Sequence, residues 1–100
     1  EKGANQRNAY VIRELTGHGV GRRLHEAPLE IPNWADPRAK QPLQNGQVIA
    51  IEPMFSLRPT SIVEAADGWT LKTMNGSLAV HQEHTIMVRE HTAVVFTRLT

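Results

Sequence analysis

A short segment rich in glycine and histidine, residues 17–28, constrains this chain more than any other stretch. It holds Gly17, Gly19 and Gly21, the imidazoles of His18 and His25, and a closing proline. Glycine lets a backbone approach its neighbours closely or adopt a positive φ. Histidine is the commonest nitrogen ligand for metals and carries protons near neutral pH. The pattern therefore predicts a close backbone approach beside two candidate functional side chains.

Apolar runs predict a protein built mainly of strands. Residues 48–51 are continuously apolar and predict a strand buried on both faces. Residues 10–15 predict a second strand that leads into the glycine segment, and residues 1–8 are typical of a helix end or a linker. Four prolines, with nearby Asn and Asp, predict a long irregular crossing over residues 27–47. Crossings of that length in small domains are usually functional.

Turn signals in the second half predict an antiparallel meander from residue 61 onward. Asp67-Gly68 predicts a two-residue hairpin turn between strands over residues 61–66 and 69–73. Asn75-Gly76 predicts another hairpin, which opens one long strand over residues 78–89. A last turn around Glu90-His91 then leads to a strand over residues 93–96.

Two carboxylates interrupt these apolar strands. Glu52 ends the first buried run, and Glu83 lies in the middle of the long strand, on one face with His81, Thr85 and Met87. Ionised carboxylates are almost never buried unless they are paired or bind a metal. The alternatives are a strand-end Glu52 facing solvent and a Glu83 on the exposed face of an edge strand.

Each histidine of the glycine segment also has two interpretations. His18 is either a metal ligand whose neighbours have no side chains in the way or a histidine in a tight turn. His25 is either a hydrogen-bond donor to a substrate carbonyl or tetrahedral intermediate, or a loop histidine. One imidazole with two carboxylates suits Mn, Fe(II), Co or Zn. A bridging carboxylate suits two ions about 3.5–4 Å apart.

Composition excludes several other classes of function. The chain has no cysteine, so disulfides and thiolate zinc sites are excluded, which fits a reducing compartment. Its formal net charge of +1 gives no electrostatic case for binding nucleic acid or a membrane surface. No apolar run approaches the roughly 20 residues of a membrane-spanning helix. The glycines form G-x-G-x-G, which departs from the dinucleotide fingerprint.

Four motifs, in this order along the chain, resemble those of type I methionine aminopeptidases. They are Gly17-His18-Gly19-Val20-Gly21 with His25-Glu26-Ala27-Pro28, Ile51-Glu52-Pro53-Met54, Asp67-Gly68-Trp69-Thr70, and Glu83-His84-Thr85-Ile86. The resemblance covers nearly the whole chain. It implies an α+β fold, the antiparallel-sheet-rich carboxy-terminal half of a pita-bread (creatinase/aminopeptidase) fold. In that family two similar αβ halves surround a dinuclear metal centre, which removes the initiator methionine from new polypeptides in the cytoplasm.

The resemblance also implies roles for individual residues. His18, Glu52 and Glu83 match metal ligands of the family, with Glu83 as the bridging carboxylate. Glu52 additionally matches the proposed general base or proton shuttle. His25 matches the histidine that holds the scissile carbonyl and steadies the tetrahedral intermediate.

Other positions match the family less closely. Leu24, which is often aromatic in the family, and Trp69 match positions that line the pocket for the methionine side chain. His81 stands where a glutamine is common. The family's centre has five protein ligands, two of them aspartates from the amino-terminal half. Neither Asp36 nor Asp67 matches those two positions.

Residues 1–100 are therefore expected to be the carboxy-terminal part of a catalytic domain whose amino-terminal half is absent. The implied enzyme is a methionine aminopeptidase that uses two divalent metal ions (Co, Mn, Fe or Zn) and acts on the N-terminal methionine of polypeptides. Completing the site would need the missing half or self-association. The alternatives are a non-catalytic pita-bread module that binds peptides or proteins, and an inactive truncated homologue.

Overall fold

The computed structural model describes residues 1–99 as short antiparallel strands with one short helix. The elements are α1 (Lys2–Gln6), β1 (Tyr10–Val11), β2 (Gly17–Gly19), β3 (Glu26–Ile31), β4 (Val48–Ile51), β5 (Met54–Ser56), β6 (Ile62–Glu64), β7 (Leu71–Thr73), β8 (Ala79–His81), β9 (His84–Val88) and β10 (Ala93–Val95). They form a five-stranded sheet ordered β10-β9-β4-β2-β3, a three-stranded sheet ordered β1-β5-β8, and the β6-β7 pair. Within residues 1–99, no helix has the length and apolar character needed to cross a membrane.

Strand β4 lies at the centre of the five-stranded sheet and matches the strand predicted over residues 48–51. Ile49 is fully buried, at 0% exposure, and pairs with Ile86 of β9. Ala50 is also buried, whereas Ile51 is exposed, so burial on both faces holds only for the middle of the strand. Burying an isoleucine side chain contributes about 1.5–3 kcal/mol, which makes Ile49 an anchor of this sheet.

The glycine segment begins as strand β2, between β3 and β4. A Cβ at Gly17 would collide with the carbonyl oxygen of Ala50 on β4, and one at Gly19 would collide with the carbonyl oxygen of Ala27 on β3. Glycine is therefore required here because three backbones pack closely, as the sequence predicted.

Two of the predicted boundaries near this segment are wrong. The irregular crossing predicted over residues 27–47 contains strand β3 in its first part. Pro28 is tolerated there because β3 is an edge strand, where a missing N–H costs no ladder hydrogen bond. The strand predicted over residues 10–15 is limited to β1, whose Tyr10 and Val11 pair with β5 and are followed by a hydrogen bond from the Ile12 N–H to the Met54 carbonyl.

Two neighbouring stretches of chain pass together from one sheet to the other. One connects β4 to β5 through residues 52–53, and the other connects β8 to β9 through residues 82–83. Ile51 pairs with His84 in the larger sheet, and Met54 pairs with His81 in the smaller one. We call residues 52–53 and 82–83 the sheet switch. The single strand predicted over residues 78–89 is therefore wrong.

The sheet switch has a local cause. Pro53 has no N–H, so it cannot donate to a continuous ladder. Its carbonyl oxygen instead accepts a hydrogen bond from the backbone N–H of Gln82 at 3.2 Å, which joins the two halves of the switch. Glu52 and Glu83, one on each half, are brought to the same region by this arrangement.

The single antiparallel meander predicted from residue 61 onward is wrong, although its turns are present. Strands β7 and β8 lie in different sheets. Gly76 has a φ of +73°, and its N–H donates to the Thr73 carbonyl at 3.4 Å. The chain beyond this turn does not pair with β7. The Leu57 N–H donates to the Leu78 carbonyl and the Arg58 N–H donates to Ser77 Oγ. The turn thus directs β8 onto β5.

The turn at Asp67-Gly68 is confirmed, but it is longer than two residues. The Ala65 N–H donates to the Thr70 carbonyl, and Gly68 has a φ of +82°. The Asp67 carboxylate accepts hydrogen bonds from the Thr70 hydroxyl and from the Thr70 and Trp69 N–H groups. The Thr70 hydrogen bonds hold the pKa of Asp67 below its usual range. The predicted turn before residues 93–96 is present too, and it leads to β10.

Candidate metal centre

His18 occupies the middle of β2 and is buried at 6% exposure. Its Nδ1 lies 2.9 Å from the carbonyl oxygen of Gly19. A carbonyl oxygen only accepts hydrogen bonds, so Nδ1 carries the proton of this contact, and Nε2 is the nitrogen left to face the interior of the site. Partners of this kind orient the imidazole of a metal-binding histidine. His18 therefore offers Nε2 to the interior of the site.

Glu52, in the sheet switch, faces His18. Its Oε1 lies 2.8 Å from His18 Nε2, and the Glu52 side chain is 17% exposed. The lone pairs of a neutral imidazole and a carboxylate repel at that distance unless a cation, either a proton or a metal ion, lies between them. The separation is that of a charge-assisted hydrogen bond with a proton between the two atoms, and both atoms are also of the types that divalent metal ions bind.

Glu83 and His81 lie on the other side of Glu52. His81 Nε2 is 3.3 Å from Glu52 Oε2. Glu52, His81 and Glu83 each offer one ligand atom, and these atoms lie within 4.8 Å of one another. Glu83 is exposed and His81 is partly so. Carboxylate oxygens and imidazole nitrogens together suit borderline to hard divalent ions such as Zn, Co, Fe(II) and Mn.

His25 lies beside His18 on the segment that leads into β3. The centroids of the two rings are 4.0 Å apart, and the ring planes are tilted by 38°. The Gly21 N–H donates to the Arg23 carbonyl, and the Arg23 N–H donates to the Glu26 carboxylate, which together define the loop. Because His25 itself is exposed, an incoming molecule can reach it.

The two residues predicted for the substrate pocket lie on the surface. Leu24 precedes His25 and is 71% exposed, and Trp69, in the β6–β7 connection, is 79% exposed. Their joint role in a pocket stays a prediction.

The two aspartates of the chain have other partners. Asp36 is paired with Arg38, whose hydrogen bond lowers the pKa of Asp36, and Asp67 accepts the hydrogen bonds of its own turn.

The sequence analysis predicts no function for His81, which the structure places in this region. Period-two alternation had already placed it on the face of Glu83. The strand breaks between the two residues, however, so their proximity comes from the sheet switch and not from alternation. A histidine two residues before a candidate ligand was the signal available in the sequence.

Comparison with known proteins gives a consistent result. The chain matches the model of metallopeptidase family M24 over residues 2–90. It is 48% identical over 89 residues to methionine aminopeptidase 2 of Bacillus subtilis (strain 168), and 49% identical over 90 residues to methionine aminopeptidase of Aquifex aeolicus (strain VF5). Each match covers 89% of this chain.

Solved structures agree with these relatives. Methionine aminopeptidase from Thermotoga maritima has a TM-score of 0.86 at 43% identity over 95% of this chain, and the enzyme from Rickettsia prowazekii has the same TM-score at 34% identity. The chain spans 36% and 35% of the two curated relatives and 38% of each solved chain. The fold is accordingly the predicted pita-bread arrangement. Since the family model matches nearly the whole chain, this protein belongs to metallopeptidase family M24.

Proposed function

We propose that this chain is the carboxy-terminal part of a methionine aminopeptidase catalytic domain, which releases the N-terminal methionine of polypeptides in the cytoplasm. The observation that carries the proposal is the placement of His18 Nε2 and Glu52 Oε1 at 2.8 Å, with Glu83 beside Glu52 at the sheet switch. Relatives that cover most of the chain are named methionine aminopeptidases, which supports the same substrate class.

The residues that would hold two divalent ions of Co, Mn, Fe or Zn are His18, Glu52 and Glu83, and Glu83 is proposed as the carboxylate that would be shared by both ions. Bound ions would supply Lewis-acid polarisation of the scissile carbonyl. The ligand types support this assignment, because one imidazole and two carboxylates are borderline to hard donors. The Nδ1–H of His18, held by the Gly19 carbonyl, keeps the imidazole in one orientation for this role.

Two side chains are proposed to handle protons and charge. Glu52 accepts a proton from the attacking water at a carboxylate oxygen and returns it to the departing amine, as a general base and then acid. His25 donates a ring N–H to the scissile carbonyl oxygen as negative charge develops there. The stacking of His25 on His18 at 4.0 Å supports this role, since it keeps an exposed imidazole at the edge of the centre.

The methionine side chain of the substrate is proposed to lie against Leu24 and Trp69. Both are large apolar side chains with high exposure, so covering them with a thioether side chain is favourable.

The remaining ligands of the centre are proposed to come from a preceding segment of a longer protein, as two aspartates, or to be replaced through self-association of this chain. Large exposed apolar side chains support such a covering partner: Leu78 and Val80 near β8, and Phe96 after β10. Several large apolar side chains exposed on the same chain are what a covering partner would bury.

The test compares the chain alone with the chain extended by an upstream half from a homologous enzyme. Free methionine released from a Met-Ala-Ser peptide is measured with Co(II) or Mn(II) added. We expect turnover in the extended protein and its loss in His18→Ala, while the matched variant His91→Ala, in the turn before β10, keeps activity.

Peptide binding by the extended protein without any methionine release would contradict the proposal and support a non-catalytic binding module. Turnover by the chain alone would assign the missing ligands to self-association, and sedimentation of the active sample would then show an oligomer.

A further inference from the structure

We propose that His81 is itself a metal ligand, which binds a divalent ion through Nε2 together with Glu52 and Glu83. The inference deepens the proposed function and rests on it, because the same carboxylates, Glu52 and Glu83, are used in both. It adds a nitrogen donor at a position where the resembling family commonly has glutamine, so it concerns a property of this chain.

Each carboxylate oxygen of Glu52 faces one imidazole nitrogen. Oε1 faces His18 Nε2 at 2.8 Å, and Oε2 faces His81 Nε2 at 3.3 Å. Two ligand atoms bound to one ion at about 2.1 Å lie roughly 3.0–3.4 Å apart at angles between octahedral and tetrahedral. The His81–Glu52 separation falls within that interval. Glu83 completes a group of three ligand atoms, all within 4.8 Å of one another.

A role limited to hydrogen bonding explains the geometry less well. Charge-assisted N–H···O⁻ hydrogen bonds are usually about 2.7–2.9 Å long, shorter than the 3.3 Å between His81 and Glu52. His81 also lies near two carboxylates, whereas orienting Glu52 needs only one contact. Its side chain is 38% exposed, so the ring can reach an ion from solvent without disturbing the sheet.

The imidazole has a consequence for the choice of metal. Imidazole suits Zn and Co, while carboxylate and carbonyl oxygens suit Mn. A glutamine in place of His81 would offer a neutral oxygen or an N–H donor instead of a nitrogen ligand. We therefore expect His81 to increase the preference of this centre for Co(II) or Zn(II) over Mn(II).

The experiment titrates the purified chain with Co(II), following the visible absorption of the bound ion and its competition with a chelator. The variants are His81→Gln, His81→Ala and His18→Gln, with His91→Gln as the control at a histidine outside the centre. Glutamine keeps an N–H donor for Glu52 but replaces the imidazole nitrogen with a neutral amide, so it separates ligation by the imidazole from positioning of Glu52. We expect both His81 variants to weaken Co(II) binding at least about tenfold and to alter the absorption band. Mn(II) binding should change less.

Each outcome decides the inference. The inference is overturned if His81→Gln binds Co(II) within about twofold of the affinity of the unsubstituted chain. It is also overturned if His81→Ala weakens Co(II) binding and His81→Gln does not. A loss confined to His18→Gln overturns it while leaving the proposed function intact. Absence of stoichiometric Co(II) binding by the chain also overturns it, and the function is then decided by methionine release from the extended protein. Circular dichroism of each variant verifies folding, and His81→Asp, which restores a ligand oxygen, should recover binding if ligation is the role.

Discussion

Replacing Gly19 with alanine tests the close packing that places His18. A Cβ at Gly19 would lie 2.7 Å from both the Ala27 carbonyl carbon and the Glu26 carbonyl oxygen, and closer still to the Ala27 carbonyl oxygen. These are backbone atoms of β3, so no side-chain rotation relieves the collision. The strands must separate by at least about 0.7 Å to bring the two 2.7 Å contacts to an ordinary 3.4 Å, and by more to relieve the contact with the Ala27 carbonyl oxygen.

Such a displacement has a calculable cost. Inserting a methyl group into well-packed structure usually costs about 1–3 kcal/mol of unfolding free energy. For a domain of this size, each kcal/mol lowers the melting temperature by about 4–8 °C. We therefore expect Gly19→Ala to lower Tm by roughly 4–24 °C. Because His18 precedes Gly19 in β2, Co(II) affinity should fall as well.

The measurement is thermal and urea unfolding followed by far-UV circular dichroism. The matched control is Gly21→Ala, where the atoms nearest the new Cβ belong to the carboxyl end of the Glu26 side chain, which can rotate away at the cost of its hydrogen bond from the Arg23 N–H. We expect this control to lose no more than about 0.5–1.5 kcal/mol, the usual contribution of one hydrogen bond. Equal midpoints for Gly19→Ala and Gly21→Ala would refute the argument from close backbone approach.

Two further predictions concern the core and the β6–β7 turn. Ile49→Ala, at 0% exposure, should lower the free energy of unfolding by about 2–5 kcal/mol in urea, and a loss below 1 kcal/mol would contradict its role as an anchor. Hydrogen bonds from Thr70 lower the pKa of Asp67, so the folded state favours the ionised carboxylate, and this stabilisation is lost as pH falls through the folded pKa. The Tm difference between the unchanged chain and Asp67→Asn should therefore shrink below about pH 4, and a constant difference down to pH 2 would contradict the assignment.

Much of the candidate site could be predicted from the sequence because its chemistry is local. Glycines flanking His18 indicated a close approach, which the structure places between β3 and β4. The apolar run over residues 48–51 indicated the central strand, and Glu52 stood out because a carboxylate rarely ends a buried run without a partner.

The errors share one physical cause. Alternation and turn residues report the preferences of a few neighbouring residues, whereas the partner of a strand is selected by packing at long range. The strand predicted over residues 78–89 runs through the sheet switch. The four polar residues at 81–84 mark the place where the chain changes sheets, but local alternation alone did not show that the strand breaks there. Asn75-Gly76 likewise forms the predicted turn. The chain after this turn pairs with β5 because the Leu57 and Arg58 N–H groups donate to it.

The amino-acid sequence by itself determined which side chains can bind a metal and their order along the chain. It also determined the glycines that allow the backbone around His18 to pack in the middle of a sheet. Only the tertiary structure decided that Glu52 lies between two imidazoles, because His18 and His81 reach it from different strands and different sheets. Residues that are far apart along the chain meet only when long-range strand pairing offsets the entropy of closing the loops between them.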